Sequence, residues 1–139
     1  MKRILGIDWG DKKMGVSISD LLHITASGVG VFYGNKEEKF NIIEELIKKY
    51  DIDKIVLGMP ISLSGEIENQ GKKILEIKNE MENRFKLKVE LVDERFTSKI
   101  SKNIFSYEKK KGLKIKRKKV EDDLSSAIII LNSYLSRSR

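Results

Sequence analysis

The alternation of apolar and polar positions predicts that the chain begins with three strands. A short apolar run over Arg3–Asp8 is typical of a buried strand, and Met14–Asp20 alternates as a half-buried strand does. Ile24–Tyr33 continues the extended pattern, and the short link between the first two runs favours a hairpin. We therefore expect three consecutive antiparallel strands.

Beyond Tyr33 the apolar spacing changes to that of helices alternating with strands. Asn35 is a candidate N-cap, and Phe40, Ile43 and Ile47 recur at helical intervals after it. The pattern predicts next a strand at 53–60, a helix at 66–85, a strand at 86–94, and helices at 97–110 and 122–136. The last helix carries an apolar stripe of Leu124, Ala127, Ile128, Leu131 and Leu135.

This order of elements predicts the α/β fold class. Strands that are reached through a helix run parallel to the first strand, so we expect a mixed five-stranded sheet flanked by helices. The first three strands would be antiparallel and the two later strands would be parallel to the first. No internal repeat or linker composition interrupts the 139 residues, so a single domain, 1–139, is expected.

Acidic residues stand where two of the predicted strands end and where the last helix begins. Asp8 ends the first strand, Glu94 ends the fifth, and Asp122 and Asp123 lie on the first turn of the last helix. Sites in open α/β sheets form outside the carboxyl ends of strands, so these carboxylates could converge. Converging carboxylates repel one another unless a cation lies between them, which favours a divalent ion or a pair of ions. Separate structural roles, such as a turn at Asp8 or a helix cap, are the alternative.

Composition narrows the possible chemistry. The chain has no cysteine and one histidine, His23, which excludes thiolate sites and disfavours a histidine-built zinc site or a Ser-His-Asp triad. Carboxylates favour Mg²⁺ or Mn²⁺. The formal net charge of +7 favours a polyanionic partner, nucleic acid before an anionic membrane. With no membrane-length apolar run and no signal-peptide pattern, we expect a cytoplasmic protein without a membrane partner.

A basic stretch precedes the last helix. Eight of the eleven residues from Lys109 to Lys119 are lysine or arginine. We interpret this stretch as a flap that grips phosphates, with Lys116, Arg117 and Lys118 among its contacts; a solvated charge run is the alternative. The loop at 58–70 is a second candidate for substrate contact, and Trp9 is expected to pack rather than to stack on a base.

Four motifs, in order, resemble those of the YqgF family of Holliday-junction-resolvase-like proteins, regarded as pre-16S rRNA nucleases. GIDWGDKKMGVSISD resembles the family's opening motif, VLGMPISLSGEIENQ its loop, VDERFTS its Asp-Glu-Arg motif, and DDLSSAIIILNSYL its closing helix. Ser62 and Ser64 depart from the usual Asn and Asp of the loop. The resemblance implies an RNase H-like fold and an acidic metal-binding triad of Asp8, Glu94 and Asp123.

The resemblance also implies an activity, namely metal-dependent hydrolysis of phosphodiester bonds with Mg²⁺ or Mn²⁺, as two ions. Lys12, Lys13 and Arg95 are candidate phosphate contacts. The expected substrate is the 5′ end of pre-16S rRNA, within the ribosomal small-subunit precursor. Branched DNA is an alternative substrate that would require a homodimer rather than a monomer, since it needs two active sites.

Two other interpretations belong to different functional classes. A non-catalytic RNA-binding ribosome-assembly factor would also be basic, but it would gain nothing from acids clustered against a polyanion. The opening motif is also similar to the phosphate-binding hairpin of actin-like ATPases, which hold nucleotide between two domains. A chain of 139 residues leaves no room for the second domain.

Overall fold

A computed structural model describes residues 2–60, 69–93 and 119–137. The elements in chain order are β1 (Arg3–Trp9), β2 (Lys13–Ser19), β3 (Ala26–Tyr33), α1 (Lys36–Tyr50), β4 (Ile52–Met59), α2 (Asn69–Phe85), β5 (Lys88–Asp93) and α3 (Lys119–Arg137). The helix predicted at 97–110 and most of the 58–70 loop lie outside the described residues. Within the described residues, no helix is long and apolar enough to cross a membrane.

The five strands form one mixed sheet in the order β3-β2-β1-β4-β5. β1 is antiparallel to β2, and β2 is antiparallel to β3. β4 runs parallel to β1, and β5 runs parallel to β4. The α/β class and the predicted strand directions are therefore confirmed, and β1 lies at the centre of the sheet.

Helices cover both faces of the sheet, and the alternation along β1 divides its side chains between them. Leu5 and Ile7 are fully buried in the larger core, which includes the apolar residues of α1 and α2. Ile4 belongs to the second core, formed against α3. Because successive strand residues point to opposite faces, Gly6 and Asp8 share the face of Ile4.

The packing of α3 on the sheet depends on small residues. A side chain at Gly6 would collide with Ser17 Oγ and would lie 2.8 Å from Leu131 Cβ. A side chain at Gly28 of β3 would lie 2.8 Å from a methyl group of Leu124. Gly6 pairs with Ser17, and Ser17 pairs with Gly28, so a row of small residues crosses three strands beneath the helix.

The buried stripe of α3 differs in part from the predicted one. Ala127, Leu131 and Leu135 are buried as expected, but Ile130 and Tyr134 complete the stripe, and Ile128 is only half-buried. Tyr134 can lie in the buried stripe because its hydroxyl has a partner there: it accepts a hydrogen bond of 2.8 Å from Lys54 Nζ on β4. This bond raises the pKa of Lys54. It fixes the carboxyl-terminal half of the helix over β4.

We expect Ser17→Ala to lower the free energy of unfolding by about 1 kcal/mol, the net value of one hydrogen bond. Ser17 is buried, and its Oγ donates to the carbonyl of Ala127 at 2.7 Å. Ser27→Ala, on the exposed surface of β3, is the matched control and should leave stability unchanged. Urea denaturation of both variants measures the difference. Equal stability of the two variants would contradict a contribution from the Ser17 bond.

Candidate active site

Asp8 lies one residue before the end of β1, half-buried, on the face of the sheet that α3 covers. Its antiparallel partner on β2 is Gly15. On the other side Ile7 pairs with Leu57, so Gly58, the next residue of β4, lies beside Asp8. The carboxylate therefore stands between two strand positions that carry no side chain.

β5 approaches the same edge of the sheet through Val92. Gly58 pairs with Val92, which is buried in the core formed against α3. Asp93 is the last residue of β5, half-buried, and the alternation of the strand turns it to the opposite face. The next residue, Glu94, lies outside the described residues.

α3 begins at Lys119. The predicted helix start at residue 122 is wrong, because Lys119, Val120 and Glu121 precede Asp122 within the helix. Asp122 lies at the end of the first turn and Asp123 just beyond it. Neither aspartate can therefore be an N-cap. Position 123 lies four residues, about one helical turn, before Ala127, whose carbonyl accepts the Ser17 hydroxyl.

Of the two hairpin lysines, Lys13 lies in strand β2 and Lys12 lies in the turn. Lys13 is the first residue of β2, half-buried, and alternation through Gly15 and Ser17 places it on the face of Asp8. Lys12 is exposed in the turn, and its carbonyl accepts a hydrogen bond of 3.0 Å from the amide of Gly34. Of the two, Lys13 is the better placed to meet a substrate at Asp8.

The remaining site candidates lie outside the part of the chain whose side chains are described. They are Glu94, Arg95, Lys116, Arg117, Lys118 and the side chain of Asp123. Within the described residues, no group of three or more His, Cys, Asp and Glu is placed to hold a metal ion. Asp8 is thus the one member of the proposed triad whose side chain is described.

Trp9 lies in a packing contact and His23 in a turn. Trp9 packs against Phe40 on the face opposite Asp8, with ring centroids 5.5 Å apart, as its packing interpretation predicts. His23 lies in the turn between β2 and β3 with a φ of 58°, and its Nε2 is 2.7 Å from the carbonyl oxygen of Lys2. That position is at the opposite edge of the sheet from Asp8.

Sequence reasoning missed Lys39, a buried cation beneath the hairpin. Its Nζ donates to the carbonyls of Gly10 and Asp11 and lies 3.9 Å from the centroid of the Trp9 ring. Burial lowers the pKa of Lys39, and the Asp11 carboxylate partly opposes this effect. The available signal was its spacing, since Lys39 is in phase with the buried residues Ile43 and Leu46 of α1.

Comparison with known proteins places the chain among nucleases. A family model described as RuvX, Holliday junction resolvase, matches residues 2–137. A protein of Sulfurihydrogenibium sp. (strain YO3AOP1) named "Putative pre-16S rRNA nuclease" is 40% identical over 139 residues, covering 99% of this chain and 92% of the relative. A protein of the same name from Dictyoglomus turgidum (strain DSM 6724 / Z-1310) is 38% identical over 134 residues, covering 96% and 93%.

The fold also resembles that of a solved resolvase. The structure of T. thermophilus RuvC in complex with a Holliday junction substrate superposes with a TM-score of 0.63, covering 98% of this chain and 95% of that one. The sequence identity is 12%, so this likeness concerns the fold alone. It confirms the RNase H-like class that the sequence motifs implied.

Proposed function

The chain belongs to the RuvX family, described as Holliday junction resolvase, and on this premise we propose that it is a metal-dependent nuclease that processes the 5′ end of pre-16S rRNA. The choice of RNA is supported by the name shared by its relatives of 38–40% identity. This activity would place the protein in the cytoplasm, on the precursor of the small ribosomal subunit. Its substrate would be this precursor RNA, and branched DNA is the alternative.

The observation that carries this proposal is the position of Asp8. A half-buried carboxylate lies near the carboxyl end of the central strand, where sites form in α/β sheets. Its neighbours on the two adjoining strands, Gly15 and Gly58, are both glycines.

The residues fit a divalent metal ion by their donor chemistry. Asp8, Glu94 and Asp123 would supply only carboxylate oxygens, the ligands that Mg²⁺ and Mn²⁺ prefer. Val92 faces α3, and the proposed ligand Glu94 follows it two positions later in the sequence. When bound, two such ions would activate water and stabilise the leaving oxygen in phosphodiester hydrolysis.

The protein's own cations would hold the substrate. Lys13 shares the face of Asp8 and is suited to contact a phosphate beside the scissile bond. Arg95 and the basic stretch Lys109–Lys119 flank the other proposed acids along the chain. Contacts of this kind add affinity and position the backbone, but they carry no information about base sequence.

Neutralising Lys116, Arg117 and Lys118 together is expected to reduce the salt dependence of RNA binding. Each lost phosphate contact lowers the slope of log Kd against log salt by about 0.7–0.9, so the slope should fall by about 2–3. The control neutralises Lys48, Lys49 and Lys86, three exposed lysines at the opposite edge of the sheet. Binding to a labelled RNA between low and moderate salt measures both slopes. Identical slopes would assign the stretch to solvation.

A cleavage assay tests the proposed function directly. The protein is incubated with Mg²⁺, Mn²⁺ or EDTA and three substrates: a 16S rRNA precursor fragment with its 5′ leader, the mature fragment, and a four-way DNA junction. Cleavage of the leader alone, dependent on metal, is the expected result. Preferential cleavage of the junction would favour a resolvase, and RNA binding without cleavage of any substrate would favour an assembly factor.

A further inference from the structure

The largest fully buried side chain within the described residues belongs to a lysine. Lys39, near the start of α1, is 1% exposed. Placing an ammonium group in the interior costs several kcal/mol unless it is compensated by hydrogen bonds or opposite charge. An apolar residue would be the ordinary choice at a position that only fills the core. The identity of Lys39 therefore calls for a specific partner.

The partner of Lys39 is the turn of the β1–β2 hairpin, residues 10–12. The ammonium group donates to the main-chain carbonyls of Gly10 and Asp11, the latter at 3.3 Å. It also lies over the ring of Trp9, the residue that follows Asp8, where the face of the indole attracts a cation. One buried cation thus holds three consecutive residues.

A capping box fixes the start of α1, the helix that carries Lys39. Asn35 and Glu38 form a capping box, in which the Asn35 side chain accepts the amide of Glu38 at 2.8 Å and the Glu38 carboxylate accepts the amide of Asn35 at 3.1 Å. The amide of Gly34, just before this cap, donates to the carbonyl of Lys12. The start of α1 and the hairpin turn are therefore joined at two points.

We propose that Lys39 is a positioning residue for the active site. It anchors the hairpin turn from the face of the sheet opposite Asp8. The turn begins immediately after Asp8 and Trp9 and ends at Lys13, so fixing it sets the positions of the carboxylate and of the phosphate-binding lysine. The catalytic part of this inference rests on the proposed function, whereas the anchoring of the turn does not.

The anchoring is tested without any activity measurement. In Lys39→Met, the amides of Gly10 and Gly34, which donate to Lys13 and Lys12, should exchange hydrogen at least about tenfold faster. The fluorescence of Trp9, the single tryptophan, should change as the cation leaves its ring. The control is Lys36→Met, which removes an exposed lysine three residues earlier that pairs with Glu80 at 3.0 Å. Unchanged exchange and fluorescence in Lys39→Met would overturn the inference.

The positioning role is tested by kinetics with a precursor RNA fragment and Mg²⁺. Lys39→Met should lower kcat by 10–100-fold, the order of loss expected from misplacing a reacting group by about 1 Å, with little change in KM. Lys36→Met should keep the wild-type kcat. If Lys39→Met has the wild-type kcat at temperatures well below its own Tm, where it is fully folded, the positioning role is wrong. If Lys39→Met does not fold, Lys39→Leu, which also removes the donor and the charge, replaces it in both tests.

An inactive wild-type protein would have a different meaning from an inactive variant. It would refute the proposed nuclease function, while the exchange and fluorescence measurements would still decide whether Lys39 anchors the turn. Conversely, an active wild type with an unchanged Lys39→Met variant would keep the nuclease and refute the inference. The two hypotheses can therefore fail separately.

Discussion

Asp8→Asn is expected to lower metal-dependent cleavage of precursor RNA by about 10²–10³-fold or more, the loss that follows removal of one electrostatic group from an active site. Asparagine has nearly the same size and shape as aspartate, so the packing at the end of β1 should be kept. It lacks the negative charge that would hold a divalent ion. Initial rates with Mg²⁺ and with Mn²⁺, together with calorimetric titration of Mn²⁺, measure the two effects.

The matched control for this substitution is Asp53→Asn. Asp53 is exposed and is the second residue of β4, so it is an aspartate of the same sheet at the opposite edge from Asp8. Its neutralisation should leave cleavage and Mn²⁺ binding unchanged. Similar rates for Asp8→Asn and the wild type would remove Asp8, and with it the carboxylate site, from the mechanism.

Much of the fold could be predicted because its central strands are short apolar segments that are buried over consecutive residues. The apolar run of β1 and the period of two along β2 were visible in the sequence, and the helices between later strands indicated their parallel direction. The start of β3 was harder to predict from the sequence. The strand begins at Ala26 rather than Ile24 because Asp20 Oδ1 accepts the amides of Ile24 and Thr25, at 2.6 Å and 3.1 Å, and so keeps this segment in a turn.

Apolar spacing alone was less informative about the helices. In α3 the run Ile128, Ile129 and Ile130 offers several equally apolar phases, and the observed phase buries Tyr134, whose hydroxyl bonds to Lys54. The helix also begins at Lys119, three residues before the start that the apolar pattern predicted. A hydrogen-bond partner on a distant strand leaves no trace in the local pattern.

In the candidate site, too, one residue was predicted from the sequence and another was missed. Asp8 was predicted from its place at a strand end, and the structure places it on the face of α3 between two glycines. Lys39 was missed because a lysine within an apolar stripe is normally assigned to the solvent-facing edge of a helix. Only the fold shows that the carbonyls of Gly10 and Asp11 lie within its reach.

The packing of α3 against β1 should be sensitive to a single methyl group at Gly6. We expect Gly6→Ala to lower the free energy of unfolding by about 3 kcal/mol, the upper end of the cost of overpacking, and the Tm by about 10 °C. The added Cβ would meet Ser17 Oγ, would lie 2.8 Å from Leu131 Cβ and would lie 3.3 Å from the carbonyl oxygen of Ala127. Because the Ala127 carbonyl is backbone and Leu131 Cβ is attached directly to the backbone, neither can be relieved by a change of rotamer, so the helix itself must move.

That movement links stability to activity. Gly6 is two residues before Asp8 on the same face, and Ala127 is one helical turn after position 123, so raising the helix at Gly6 would separate the two proposed acids. Cleavage should therefore fall even at temperatures where the variant is fully folded by circular dichroism. Gly30→Ala, on β3, is the control, since its Cβ would lie 3.5 Å from the Phe32 ring, an ordinary contact. If Gly6→Ala is as stable and as active as Gly30→Ala, α3 does not hold its acid against the end of β1.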